Sequence, residues 1–338
     1  MKAVGYYKSL PIDDPQSLID VEVPMPKIGP QDLLVEIKAI SVNPIDFRAR
    51  SAFGPFDDQP RILGFDAAGV VVELGANVSN FKIGDEVYYA GAINRQGSNA
   101  QYQAIDHRIV ALKPKSLDFS NAAAIPLTAL TAWEMLFDRL RINDSVRNGK
   151  NTFLMVGAAG GVGSIALQLA RLKGGVNIIA TASRPESKNW VLDKGADHVI
   201  NYKEPFLEQL KQIGFDQVDY IFSTANSDGY QNQYEEIISA QGRIGMIDAP
   251  EKFNIMLFKL KSISLHWESM FTRSMFETSD IGRQGDILKQ VAEMIDDKLL
   301  TPTATDSLSP INAENLRKAH RLMESGQHIG KLTLSDFS

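Results

Sequence analysis

The sequence predicts a two-domain α/β protein, a barrel-type β-domain joined to a doubly wound parallel sheet with helices on both faces. Three observations predict it. The first 110 or so residues break into short β-rich runs divided by Pro, Gly and Asn, without a long helical period. Residues 151–267 then alternate apolar strands with helical stretches. A chain of 338 residues suits about two domains, each with its own core. The 41 acidic and 35 basic side chains leave a net charge of −6, which speaks against a nucleic-acid surface. The chain has no cysteine, so disulfides, a catalytic thiol and sulfur-ligated zinc are excluded. No apolar run approaches the roughly 20 residues that span a bilayer, nor does the N-terminus have a signal-peptide core, so a cytoplasmic protein is expected.

Taken in order, the predicted strands of the first region are 33–40, 67–74, 86–90 and 109–112. Ser120 reads as an N-cap, and 121–140 as a helix bent at Pro126. Strands follow at 153–156, 177–181, 198–200, 219–222, 243–247 and 263–266, with helices at 163–172, 187–194, 206–213 and 230–239 between them. The tail adds amphipathic helices at 286–299 and 313–324 and a last strand at 331–334. That strand, following Gly330, is read as returning to the N-terminal β-domain. The domains are therefore placed at 1–125 with 272–338, and at 126–271.

The strongest motif is the run Phe153–Ser164, in which an apolar strand enters Gly157, Ala158, Ala159, Gly160, Gly161, Val162 and Gly163 and then a helix. A dinucleotide site needs this order. Small residues let the backbone approach the pyrophosphate, and the helix N-terminus presents free N–H groups and a positive dipole end. Gly157, Ala159, Gly160, Gly161, Val162 and Gly163 are thus the predicted phosphate cradle. Where an NAD site carries an acid at the end of the next strand, this chain has Ser183 and Arg184, with Lys188 one turn on. Those groups suit a 2′-phosphate, and Tyr202, ending the following strand, is placed to close over it. NADPH is the predicted cofactor. The opposing readings are solvated surface charges for Arg184 and Lys188, and Glu186 as an acid turned toward the ribose. Ser223 and Ile247, at the ends of later strands, complete the predicted cofactor side.

With these residues in place, the chain resembles the medium-chain dehydrogenase/reductase superfamily, in its zinc-free quinone oxidoreductase branch. The resemblance spans essentially the whole chain. It is carried by the segments 41–46, 63–69, 78–87 and 124–133 and by the glycine loop. It implies a GroES-like β-barrel domain, a Rossmann domain and a cleft between them. It also implies a homodimer or homotetramer formed through the Rossmann edge strand at 263–267. In zinc alcohol dehydrogenases a Cys stands in the neighbourhood of Asn43 and a His in the position of Phe65, so the resemblance implies no zinc and no other metal site here. It places Asn43 and Thr128 near the nicotinamide. Asp46 beside Arg48 either lines the cleft or forms a local ion pair. Phe53, Phe56 and Phe65 would make aromatic walls, or ordinary core.

Without a metal, the chemistry points to acceptors that spread their own charge. Hydride added to a quinone or an α,β-unsaturated ketone leaves an enolate that a few hydrogen bonds can hold. The reading is an NADPH-dependent quinone or enone reductase with Asn43, Asp46 and Thr128 as catalytic candidates. It foresees a small-molecule substrate, no nucleic-acid partner and no membrane. The alternatives are an enoyl-thioester reductase, which needs a Tyr proton donor, and a non-catalytic NADPH sensor or RNA-binding protein.

Overall fold

The structure, a computed structural model, describes residues 1–56, 59–144 and 150–337. Two compact units emerge: Met1–Leu130 with Phe271–Ser338, and Thr131–Met270. In chain order the first unit holds β1 (Lys2–Tyr6), β2 (Ile19–Glu22), β3 (Asp32–Val42), α1 (Pro44–Ala52), β4 (Arg61–Ile62), β5 (Asp66–Leu74), β6 (Glu86–Ala90), β7 (Tyr102–Asp106), β8 (Val110–Leu112) and α2 (Phe119–Ala123). After α3 (Pro126–Trp133) come β9 (Thr152–Val156), α4 (Gly161–Leu169), β10 (Asn177–Thr181), α5 (Pro185–Asp193), β11 (His198–Ile200) and α6 (Phe206–Gln212). They are followed by β12 (Val218–Ser223), α7 (Ser227–Ile237), β13 (Ile238–Met246) and β14 (Ser264–Trp267). The returning tail supplies α8 (Thr272–Met275), α9 (Arg283–Asp296), β15 (Ala304–Leu308), α10 (Ala313–Glu324) and β16 (Lys331–Ser335).

In the first unit a seven-stranded sheet runs β15-β16-β3-β5-β6-β8, with β7 also paired to β3, beside a small sheet β2-β1-β4. β16 lies antiparallel to β3 with Leu332 opposite Val42, so the tail is built into the N-terminal sheet. β3 is buried along most of its length because β5, β7 and β16 pair with its different stretches. In the second unit six parallel strands run β11-β10-β9-β12-β13-β14. Helices cover both faces of such a sheet, which is why β9 is apolar without alternation, Phe153, Leu154 and Met155 being fully buried. The strand order reverses between β9 and β12, and a doubly wound sheet binds its ligand at the carboxyl ends flanking that reversal.

Several boundaries differ from the sequence reading. Asp118, not Ser120, caps α2, its carboxylate accepting from the Asn121 amide. The helix read over 121–140 is α2, then α3, then a π-helical turn over Glu134–Arg139. α7 stops at Ile237, where the chain turns directly into β13. The pattern missed α1 because its inner face is partly polar: Asp46 and Arg50 are both buried. Strands β1, β2, β4, β7 and β15 were also missed; β2, β7 and β15 are only partly buried. Among the described residues, no helix is long and apolar enough to cross a membrane.

The buried face of α1 meets α10. Arg50 pairs with Glu324 at 2.6 Å and donates to His320 Nδ1 at 3.1 Å. Burial, reinforced by the Arg50 charge, pushes the His320 pKa down to about 3. The unfolded chain then binds a proton that the native chain refuses, so this histidine's contribution is present above about pH 6.5 and is lost as pH falls toward 3. His320→Gln is expected to flatten that acid limb by up to about 1.4 kcal/mol per pH unit. Thermal midpoints of both proteins from pH 7 to 4 would show it; parallel curves would refute it.

Candidate active site

At the β9–β12 reversal the turn after β9 is held by its neighbours. Gly157 has φ +75°, and a Cβ there would lie 2.1 Å from Thr224 Oγ1. Its N–H donates to Thr181 Oγ1 on β10 at 3.2 Å. A Cβ on Gly163 would sit 2.5 Å from the Ala158 carbonyl oxygen, so glycine there lets α4 close onto the turn. Gly160 is the N-cap of α4 and has no side chain to occupy the first amides of the helix. Ala159, Gly160, Gly161 and Val162 are half-buried, which keeps this backbone within reach of a ligand. The cradle therefore fits a pyrophosphate: small residues, free amides and a helix N-terminus converge on one point.

Beside it, the end of β10 leads to Ser183, whose hydroxyl donates to Tyr202 Oη at 2.8 Å. Those two predicted residues are thus brought together. Arg184 and Lys188 lie exposed on the N-terminal turn of α5, as does Glu186. The Arg184 backbone is fixed, its N–H donating to Ser187 Oγ at 3.2 Å while that hydroxyl donates back to the Arg184 carbonyl at 2.9 Å. The sequence reading missed Trp190, whose indole N–H donates to Ser164 Oγ at 2.8 Å and ties α5 to the first turn of α4.

The other flank is a polar clasp. Ser223 stands opposite Val156 in register, and the Ile247 N–H donates to the Ser223 carbonyl at 3.2 Å. Ser223 Oγ shares a 2.8 Å hydrogen bond with Tyr234 Oη. Ser227 donates its hydroxyl to Asp248 Oδ1 at 2.6 Å and its N–H to Oδ2 at 2.8 Å, joining the ends of β12 and β13. Ser227 was not foreseen, since nothing in its local pattern marks it.

In the first unit the catalytic candidates belong to a buried polar cluster. Asn43 caps α1 and Asp46 closes a capping box with it, accepting from the Asn43 N–H at 2.7 Å. The other Asp46 oxygen accepts from the Gly64 N–H at 3.1 Å, so its partners are backbone amides and not Arg48, which is exposed. Burial pushes the Asp46 pKa up to about 7, against the lowering effect of these amides and Lys331. The Asn43 amide donates to Asp66 Oδ2 at 2.8 Å, and its carbonyl accepts from Lys331 Nζ. Lys331 also pairs with Asp66 at 3.0 Å and donates to the Val42 carbonyl at 3.1 Å. Asp66 Oδ1 accepts from the Leu127 N–H at 2.7 Å, at the start of α3. Thr128, one residue on, donates to the Ile125 carbonyl at 2.9 Å. Asp66 and Lys331 were not foreseen as site residues; a lysine opening an apolar strand was the available signal for the second. Phe65 packs edge-on against Phe271 with centroids 4.9 Å apart, while the Arg61 guanidinium lies over the rings of Phe53 and Phe56.

Known proteins show the same organisation. The alcohol dehydrogenase GroES-like domain family matches residues 29–115, and the zinc-binding dehydrogenase family matches 194–334. A zinc-type alcohol dehydrogenase-like protein of Staphylococcus epidermidis is 37% identical over 99% of this chain and 99% of its own. The chain belongs to the medium-chain dehydrogenase/reductase superfamily. It is an oxidoreductase of that superfamily, with a GroES-like domain and a Rossmann sheet. A Rhizobium etli structure named for the zinc-dependent alcohol dehydrogenases is 48% identical, with a TM-score of 0.98 over 100% of this chain and 98% of the other. The Escherichia coli quinone oxidoreductase, solved in complex with NADPH, is 25% identical, with a TM-score of 0.81 over 99% of this chain and 100% of the other.

Zinc, which the family descriptions name, does not fit the donors present here. Zinc sites are built from thiolate, imidazole and carboxylate. This chain has no cysteine, carries Phe65 beside Asp66, and holds the Lys331 ammonium against both Asn43 and Asp66. Among the described residues, no group of three or more His, Asp and Glu side chains is placed to share a metal.

Proposed function

We propose that this oxidoreductase uses NADPH to reduce quinones or α,β-unsaturated carbonyl compounds, without zinc. The observation that carries the reading is the pairing of Ser183 with Tyr202 beside exposed Arg184, next to a glycine cradle open at a helix N-terminus. A 2′-phosphate would be met there by two hydroxyls and a guanidinium, with Lys188 one turn away. NADPH, when bound, supplies the hydride. The chain's part is to fix the cofactor: the first amides of α4 receive the pyrophosphate, and the Ser227–Asp248 clasp holds the strand ends on the nicotinamide side.

A conjugated acceptor matches what the first unit offers. The Asn43 amide is engaged by Asp66 and Lys331, and the Thr128 hydroxyl by the Ile125 carbonyl, so their part is to shape and orient the substrate pocket. An acceptor that spreads its own negative charge needs no stronger acid. Tyr88 and Tyr89, available in principle to an enoyl-thioester reductase, are fully buried, their hydroxyls donating to the Leu288 carbonyl at 2.6 Å and to Gln103 at 2.9 Å. Tyr102, the third tyrosine open to that alternative, is half-buried at the start of β7. The reading extends to a homodimer or homotetramer across the edge strand β14.

Two measurements test it. Consumption of NADPH with 1,4-benzoquinone, 9,10-phenanthrenequinone and small enones is expected; no turnover above buffer with any of them would reject the function. Arg184→Ala is expected to weaken NADPH by about tenfold or more while leaving NADH nearly unchanged, since a charge-assisted contact contributes roughly 1.5–3 kcal/mol. Equal weakening of both would reject the 2′-phosphate assignment.

A further inference from the structure

Lys331 is 3% exposed, Asn43 2% and Asp66 fully buried, so their cluster lies inside the β-domain. The ammonium has three oxygen partners drawn from two other stretches of chain: the Val42 carbonyl and the Asn43 side-chain carbonyl from one, and the Asp66 carboxylate from the other. Three acceptors match the three N–H bonds of an ammonium. The tail reaches this place because β16 pairs with the end of β3, Leu332 opposite Val42. Relatives and a matching family are named for zinc, yet the oxygen cluster of this chain already contains a full positive charge.

We propose that Lys331 is a built-in cation that fills the Val42–Asn43–Asp66 oxygen cluster and closes it to zinc and other divalent metals. A dication entering the cluster would meet the ammonium at close range in a buried setting, where like charges repel strongly. It would also have to take the Asp66 oxygen that Lys331 holds. Removing the lysine side chain leaves a carboxylate and two carbonyls around the vacated volume, an all-oxygen donor set that suits a hard divalent ion such as Mn²⁺. The inference concerns the β-domain cluster alone and is independent of which acceptor the enzyme reduces.

The full-length protein, incubated with excess zinc salt and passed through gel filtration, is expected to retain only a small fraction of one zinc per chain by elemental analysis. Near-stoichiometric zinc that disappears in Asp66→Asn would overturn the proposal. In a second arm, millimolar Mn²⁺ is expected to raise the thermal midpoint of Lys331→Ala by several degrees and to leave the wild type and Lys331→Arg unmoved. An Ala variant as unresponsive as the wild type would overturn it. The zinc count on the wild type decides the question even if the Ala variant does not fold. Neither readout depends on turnover, so a failed quinone assay and a failed metal test are separate results.

Discussion

Replacing Asp66 by alanine is expected to be among the most destabilising single substitutions in this chain, by about 3–5 kcal/mol. One carboxylate serves three groups: the Lys331 ammonium, the Asn43 amide and the Leu127 N–H at the start of α3. Removing it strands a buried cation and two buried donors, and an orphaned buried charge costs more than the intact pair contributes. The thermal midpoint should fall by roughly 10 °C. A paired test separates charge from packing. Asp66→Leu combined with Lys331→Met should cost much less than the sum of the two single changes, because removing both partners leaves no uncompensated charge. Additive losses would mean that the residues do not act as a pair.

The second large effect is expected at Gly163, where alanine should weaken NADPH binding on the order of a hundredfold, about 2.7 kcal/mol. Its Cβ would fall 2.5 Å from the Ala158 carbonyl oxygen and 2.6 Å from two further backbone atoms of that residue. Backbone cannot rotate aside as a side chain can, so α4 would be driven away from the turn. The helix N-terminus and its free amides would move with it, and the phosphate cradle would lose its geometry. Isothermal titration with NADPH checks this; an unchanged Kd would show that the cradle does not depend on the close approach of α4. At Gly160 an added Cβ would meet a single carbonyl at 3.5 Å, so alanine there is expected to leave the turn's own packing intact.

The candidate residues of the two units were legible to different degrees. The glycine loop was readable because strand, turn and helix follow one another directly in the chain, and the steric demand on Gly157 and Gly163 is a demand on residue type. Ser183 and Tyr202 were readable because each ends a strand, and the ends of parallel strands share one edge of the sheet. The Ser227–Asp248 clasp was not, because its members sit 21 residues apart and neither type is unusual in a loop. The pattern singled out Asn43 and Asp46 as candidates, but not their bonding. Asp46 was weighed against Arg48 as a local ion pair, whereas the fold turns it inward onto the amides of Asn43 and Gly64.

The absence of cysteine is a property of the sequence alone. It excludes thiolate chemistry wherever the chain might fold, because no arrangement can supply a missing atom type. The spacing of apolar runs likewise determined the two kinds of domain, short β-rich runs between turn residues in one and strands alternating with helices in the other. Only the tertiary structure decided what stands among the oxygens of the β-domain cluster. Lys331 is 265 residues from Asp66 and 288 from Asn43, and it reaches them because β16 pairs with β3. Local pattern can mark a lysine at the head of an apolar strand, but its partners are set by which strand lies alongside. That pairing is a long-range choice made by packing the whole sheet.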